Sequence, residues 1–149
     1  MKSVEEMLKQ YAQIRKAYAK HLCNAMKHEN FSPSEIDILI FLSNNPSIHT
    51  SKELTLYLGI SKSLVCRSVE SLLQRGLLTT KEDTKDRRIQ RLNITDQAYP
   101  VIREIKQCQK IFTDYVMKDI SEEEMERLEQ TMKKINQNWE RVMKGEINL

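Results

Sequence analysis

Two long stretches near the ends of the chain carry apolar residues at every third or fourth position. Residues 4–26 and 125–142 keep this spacing, which predicts amphipathic α-helices because 3.6 residues complete one helical turn. In the second stretch the spacings alternate strictly between three and four. That alternation is typical of a helix that packs along another helix, so the second stretch predicts a helical partner.

Helix-capping signals divide the middle of the chain into short helices. Ser32-Pro33-Ser34-Glu35 and Thr50-Ser51-Lys52-Glu53 each place a hydroxyl three residues before a glutamate, which is the pattern of a capping box. Ser61 is a third candidate cap, and glycines at positions 59 and 76 suit helix ends. The turn Leu58-Gly59-Ile60-Ser61 therefore joins two short helices as in a helix-turn-helix.

The hydrophobic period changes after residue 76. Residues 77–80 and 89–94 are short strand-like runs, and the highly charged segment 81–88 separates them, which predicts a two-stranded hairpin with a long polar tip. Thr95 is then the expected cap of a further long helix, and Pro100 is expected to kink that helix or delay its start. The fold class predicted is mainly α with a small β-hairpin.

Length and charge narrow the range of functions. The 149 residues fit one domain, and with 40% hydrophobic and 30% charged residues the chain is expected to fold outside a membrane. The net charge is only +3, but residues 50–91 hold nine basic and five acidic side chains, a local excess of +4. A polyanionic partner is therefore expected to bind the middle of the chain.

The cysteines and histidines give weaker signals. Cys23, Cys66 and Cys108 contain no CxxC pair, so we expect reduced thiols in a cytoplasmic protein without signal peptide or membrane anchor. His21 and His28 lie seven residues apart on one face of the predicted first helix, and Cys23 is near them in sequence, but the absence of HxxxH and CxxC spacings does not favour a metal site. The sequence also lacks phosphate-loop, HExxH and GxSxG motifs, so we expect no catalytic residues, no cofactor and no enzyme activity.

The ordered set of motifs in the middle of the chain resembles the winged helix-turn-helix of the MarR (multiple antibiotic resistance regulator) family of bacterial transcription factors. The matching positions are Leu58-Gly59-Ile60-Ser61, Val65-Cys66-Arg67, Leu72, Gly76-Leu77, Asp83-Thr84-Lys85-Asp86-Arg87-Arg88 and Ile94-Thr95. Three positions depart from the family pattern: Thr84 replaces a usual proline, Cys66 replaces serine or threonine, and Ala98-Tyr99-Pro100 replaces a common glycine. None of these departures removes a basic residue.

The predicted DNA contacts come from two elements. The first residues of a recognition helix fit the major groove, and an arginine at the tip of a hairpin suits a narrow A·T-rich minor groove. The serines suit phosphates, Arg67 suits a guanine, and Asp86 is expected to orient Arg88, as the resemblance also implies. The full set of predicted DNA-binding residues is Ser61, Lys62, Ser63, Leu64, Arg67, Lys85, Asp86, Arg87 and Arg88.

The resemblance implies an organisation and a mode of regulation. Residues 1–149 would form a single MarR-like domain, with a winged helix-turn-helix lobe at 32–95 and dimerisation helices at 1–30 and 96–149. The expected protein is a homodimer that binds a pseudo-palindromic operator in double-stranded DNA, represses nearby genes, and is released by a lipophilic or phenolic molecule bound between the dimer helices and the DNA lobe. The alternatives are a redox-responsive regulator that uses a cysteine, and a winged-helix module that binds protein or RNA.

Overall fold

The computed structural model describes residues 3–145. In chain order its elements are α1 (Val4–Ala25), a 3₁₀ turn (Lys27–Glu29), α2 (Pro33–Asn44), α3 (Ser51–Leu58), α4 (Lys62–Gln74), β1 (Leu78–Glu82), β2 (Gln90–Ile94), α5 (Ala98–Val116) and α6 (Glu122–Met143). The prediction of a mainly helical fold with one small hairpin is confirmed. Among residues 3–145, no helix is both long and apolar enough to span a membrane.

The predicted capping boxes form at the starts of α2 and α3. The Ser32 hydroxyl accepts the Glu35 N–H at 3.3 Å, and the Glu35 carboxylate accepts the Ser32 N–H at 2.7 Å. Thr50 and Glu53 repeat this exchange at 3.2 and 2.9 Å. Gly59 ends α3 with φ +63°, a left-handed conformation that glycine adopts without steric penalty. The starts of α2 and α3 and the end of α3 are therefore set by residues next to them in the sequence.

The chain divides into two compact units, with the boundary between Thr113 and Asp114. The core of the first unit is built around α2, most of whose apolar side chains are buried. Each α-helix and strand from α1 to α5 contributes to this core, and the contributing residues include Leu22, Leu39, Leu54, Leu72, Leu92 and Ile105, each at most 2% exposed. The helix-turn-helix and the hairpin are thus held by one hydrophobic core.

The hairpin is longer than the sequence predicts. Its strands pair antiparallel from Leu78 opposite Ile94 to Glu82 opposite Gln90, so Lys81 belongs to a strand rather than to the tip. The reason is that β1 is exposed beyond its first residue, and an exposed strand tolerates charged side chains while its backbone still pairs with β2. The turn is shortened to residues 83–89.

The role predicted for Thr95 as a helix cap is wrong. Its hydroxyl donates to the Gly76 carbonyl at 2.6 Å, and its N–H donates to the Leu77 carbonyl at 3.1 Å. These bonds hold Thr95 at the base of the hairpin, and α5 begins three residues later, at Ala98. Pro100 then occupies the first turn of the helix, where an N–H has no helical acceptor. The delayed start expected from Pro100 is confirmed.

In the second unit, α6 begins with a third capping box, formed by Ser121 and Glu124. None of its residues from Glu122 to Met143 is buried. Its apolar stripe includes Leu128, 49% exposed, and Trp139, 63% exposed. An exposed apolar stripe of this kind is typical of an interaction surface.

Candidate nucleic-acid interface

Helix α4 presents one buried and one exposed face. Val65, Ser68, Val69 and Leu72 are buried, whereas the predicted contacts Lys62, Ser63 and Arg67 are exposed. Cys66 lies on the exposed side next to Arg67. The spacing of the buried residues therefore turns the predicted recognition surface to solvent.

The first turn of α4 is fixed by Ser61. Its hydroxyl accepts the Leu64 N–H at 3.2 Å and lies 3.2 Å from the Ser63 hydroxyl. Both serines are exposed, whereas the Leu64 side chain is half-buried and lines a crevice next to α1. Of the predicted contacts on α4, Leu64 thus offers DNA the least surface.

A buried polar cluster fixes α4 against α2. The Ser34 and Ser68 hydroxyls are 2.7 Å apart, and the Ser71 hydroxyl donates to the Glu35 carboxylate. Arg75 Nε lies 3.6 Å from the same carboxylate. Burial by itself would raise the pKa of Glu35, but the bonds from Ser71 and Ser32 and the charge of Arg75 outweigh it and lower the pKa. Sequence reasoning assigned Glu35 only a capping role and missed this cluster.

Arg75 also ties the end of α4 to the segment before α2. Its guanidinium donates to the carbonyls of residues 29 and 30 at 2.7 and 3.1 Å. The guanidinium carbon lies 4.5 Å from the centroid of the Phe31 ring, within the range of a cation–π contact. Both ends of α4 are therefore anchored.

The turn of the hairpin, residues 83–89, is organised by one carboxylate. The Asp83 side chain is buried and accepts the N–H groups of Lys85 at 2.8 Å and Asp86 at 3.0 Å. Arg91 Nε donates to its second oxygen. The bonds from the Asp86 and Lys85 N–H groups, followed by the Arg91 bond, lower the pKa of Asp83 to about 2. The turn is thus shaped before any partner binds.

The expected pairing of Asp86 with Arg88 is present. Arg88 Nε and Nη2 donate to the two Asp86 oxygens, each at 3.1 Å, and the bonds from Arg88 lower the pKa of Asp86. The Arg88 side chain is nevertheless 91% exposed. Lys85 and Arg87 are also exposed on this turn. A directed guanidinium and two further cations therefore project from the tip.

The middle of β2 is bonded to the segment before α3. The Leu92 N–H donates to the His49 carbonyl at 2.6 Å, and His49 Nδ1 lies 3.3 Å from the Leu92 carbonyl oxygen. The His49 N–H in turn donates to Glu53 of α3 at 3.1 Å. The hairpin and the helix-turn-helix are connected by these bonds, which the sequence pattern did not indicate.

The histidines and cysteines take separate positions. We expected His28 on the first helix, but α1 ends at Ala25 and His28 lies in the 3₁₀ turn that follows. The Nε2 atom of His28 is 3.1 Å from Glu104 Oε1. Within residues 3–145 no group of three His, Cys, Asp or Glu side chains is arranged to hold a metal ion. Cys23 and Cys108 are half-buried, and burial raises the pKa of both thiols.

This arrangement is that of a winged helix-turn-helix fold: the second helix of the helix-turn-helix exposes its N-terminal half, and a hairpin wing is attached to the same core. Residues 29–89 match the model of the MarR family. The resemblance drawn from the sequence is thereby confirmed for this segment of the chain.

One relative is similar over part of the sequence, and solved structures share the fold. The transcriptional regulator AdcR of Streptococcus pneumoniae is 36% identical over 67 residues, which are 45% of this chain and 44% of that protein, less than half its length. A MarR family transcriptional regulator from Listeria monocytogenes, solved in complex with 26mer DNA, is 21% identical with a TM-score of 0.81, covering 100% of this chain and 99% of that one. The regulator BldR of Sulfolobus solfataricus is 25% identical with a TM-score of 0.72, over 93% and 99% of the two chains.

Proposed function

We propose that this protein is a sequence-specific DNA-binding transcriptional regulator. The observation that carries the proposal is that α4 and the wing belong to one core and each exposes basic side chains: Lys62 and Arg67 on the helix, Arg87 and Arg88 on the wing. The Listeria monocytogenes relative of the same fold was solved with DNA. A rigid body with two basic projections suits a major groove and an adjacent minor groove.

The two projections have different tasks in this proposal. Arg67, exposed on α4, is assigned to base edges, whereas Lys62, Ser61 and Ser63 at the start of the helix are assigned to phosphates. Leu64, half-buried, touches DNA at most through its outer surface. Lys85 and Arg87 grip the backbone beside the wing, and Asp86 holds Arg88 for the minor groove.

The active species is proposed to be a homodimer. Apolar residues of α1 such as Leu8, 58% exposed, and of α6 such as Trp139, 63% exposed, would remain in water in a monomer. Surfaces of this kind are normally covered by a partner, and a two-fold dimer places two recognition helices on the halves of a palindrome. Repression of neighbouring genes, and release by a small molecule in the crevice next to α1, complete the proposal. No catalytic step is part of it.

The test is binding to double-stranded DNA from the region flanking the protein's own gene. Binding is measured by fluorescence anisotropy at several salt concentrations. Arg67→Ala is expected to weaken operator binding by about 1–3 kcal/mol and to relax preference at one base pair per half-site. Lys62→Ala is expected to weaken operator and random duplexes alike and to reduce the salt slope by about one.

Glu70→Gln is the matched control, because Glu70 is exposed on α4 and its neutralisation should not remove a DNA contact. Equal losses on operator and random DNA for Arg67→Ala would show that Arg67 binds only phosphate. Tighter binding to single-stranded RNA, or no dependence on salt, would contradict the proposed function and favour the protein-binding or RNA-binding alternative.

A further inference from the structure

A crevice in the first unit combines aromatic walls with a single carboxylate. It lies between α1, the start of α2, the turn from α3 to α4 and Phe112 of α5, and its volume is about 580 Å³, within the range of small-molecule sites. Four aromatic side chains line it: Tyr11, Tyr18, Tyr57 and Phe112. The charged groups among its lining residues are Asp37 and Arg15.

Asp37 is half-buried on α2 and lacks close partners. Within residues 3–145, its carboxylate forms neither a hydrogen bond nor an ion pair within 4 Å. Burial raises the pKa of Asp37, and the charge of Arg15 opposes this shift only in part. A partly desolvated carboxylate without a partner is unfavourable, so a cation brought into the crevice would be stabilised there.

The aromatic walls suit the same ligand. The Tyr18 hydroxyl accepts a hydrogen bond from Gln109 Nε2, which holds the ring at the crevice wall. The Tyr18 ring packs edge-on against Phe112, with centroids 5.3 Å apart and an angle of 72°, which fixes both rings. Aromatic rings attract ammonium and guanidinium groups and also bury an apolar ligand body.

Arg15 is the group that would favour an anion instead. It is exposed on α1, and among the described residues it makes no ion pair with Asp37 within 4 Å. Its flexible side chain is therefore screened by water, whereas Asp37 is screened less because it is half-buried. A ligand in the crevice would therefore interact more strongly with the negative charge of Asp37 than with the positive charge of Arg15.

We propose that this crevice binds an organic cation with an aromatic body, whose ammonium or guanidinium group pairs with Asp37. The inference rests on the proposed function in taking the crevice as the effector site. It departs from the phenolic molecule that the family resemblance suggests, because it assigns a positive charge to the ligand.

The test measures the affinity of the full chain, without DNA, for three probes of similar shape: 2-naphthylmethylamine, 2-naphthalenemethanol and 2-naphthoate. The affinities are measured by isothermal titration calorimetry at neutral pH. The amine is expected to bind about tenfold more tightly than the alcohol, and the carboxylate most weakly. Asp37→Asn should reduce amine affinity about tenfold and leave alcohol affinity within about twofold. Arg15→Gln should raise amine affinity about two- to threefold, because it removes a like charge.

Asp96→Asn is the matched control, since Asp96 is exposed outside the crevice and its loss should leave all three affinities unchanged. Asp37→Asn is expected to melt no lower than the parent, because it removes a partly desolvated charge. An alcohol or carboxylate that binds as tightly as the amine, or an amine affinity unaffected by Asp37→Asn, would overturn the proposal. Operator binding measured without probe tests the proposed function separately, so the two failures are distinguishable.

Discussion

Replacement of Glu35 by glutamine is expected to weaken the attachment of α4 without removing the cap of α2. The Glu35 residue is 4% exposed. Its carboxylate accepts hydrogen bonds from the Ser32 N–H at 2.7 Å and from the Ser71 hydroxyl, and it forms an ion pair with Arg75 Nε at 3.6 Å. In the glutamine variant the amide oxygen keeps the hydrogen bond from the Ser32 N–H. The amide NH₂ then lies against two donors, the Ser71 hydroxyl and Arg75 Nε. Because hydrogen bonds to a charged group contribute about 1.5–3 kcal/mol, we expect a loss of about 2 kcal/mol.

Glu35→Ala should lose about 3–4 kcal/mol, since it also removes the cap bond and leaves Arg75 beside an empty site. Ser71→Ala removes one donor and should lose about 1 kcal/mol. Glu70→Gln, a charge removal at an exposed position on α4, serves as the control and should stay within about 0.5 kcal/mol. The measurement is urea unfolding by circular dichroism at one protein concentration, with the m-value checked for constancy.

The pH dependence of this effect follows from the lowered pKa of Glu35. A carboxyl with a lowered pKa stabilises the fold above its unfolded pKa, and this contribution is lost as the pH falls through the folded value. The difference between parent and Glu35→Gln should therefore be full at pH 7 and shrink below about pH 4.5, the ordinary value. A difference below about 0.5 kcal/mol at pH 7, or one that stays constant down to pH 3, would refute the reasoning.

Two further predictions concern the wing and the dimer. Arg88→Ala should leave thermal stability unchanged, because its side chain is 91% exposed, but it should weaken DNA binding most on operators with A·T steps facing the wing. Asp86→Ala should give a milder defect; equal binding of Arg88→Ala and parent to A·T and G·C operators would exclude the minor-groove role. Ile135→Asp in the α6 stripe should dissociate or unfold the proposed dimer, as measured by sedimentation, whereas Gln137→Asp on the opposite face should not. A parent protein that sediments as a stable monomer at micromolar concentration would contradict the dimer.

The features predictable from the sequence are those set by residues close together in the chain. The capping boxes of Ser32 and Thr50 need only a glutamate three residues on, and the left-handed turn at Gly59 needs only the glycine. The pairing of Asp86 with Arg88 spans two residues. For the same reason, the exposed face of α4 followed from the spacing of its buried residues.

Contacts between distant residues were not predictable in this way. Glu35 meets Ser71 across 36 positions, and His49 meets Leu92 across 43. Thr95 has the sequence features of a cap, yet its hydroxyl bonds to the Gly76 carbonyl, 19 residues earlier. In each case a polar group had a plausible local role, and the packing of the core brought a second partner that periodicity does not encode.

The buried Asp83 has a consequence for how the protein would discriminate between DNA sequences. Its bonds to the Lys85 and Asp86 N–H groups and to Arg91 already order the turn, so little conformational entropy is left to lose when the wing binds. A stiff wing also has little freedom to remodel itself around a minor groove of the wrong width. The adjustment must then come from the duplex, and the energy of bending or narrowing it depends on base steps that the protein never touches. The stiffness of this protein turn would then make the flexibility of the DNA one of the properties by which the protein selects its operator.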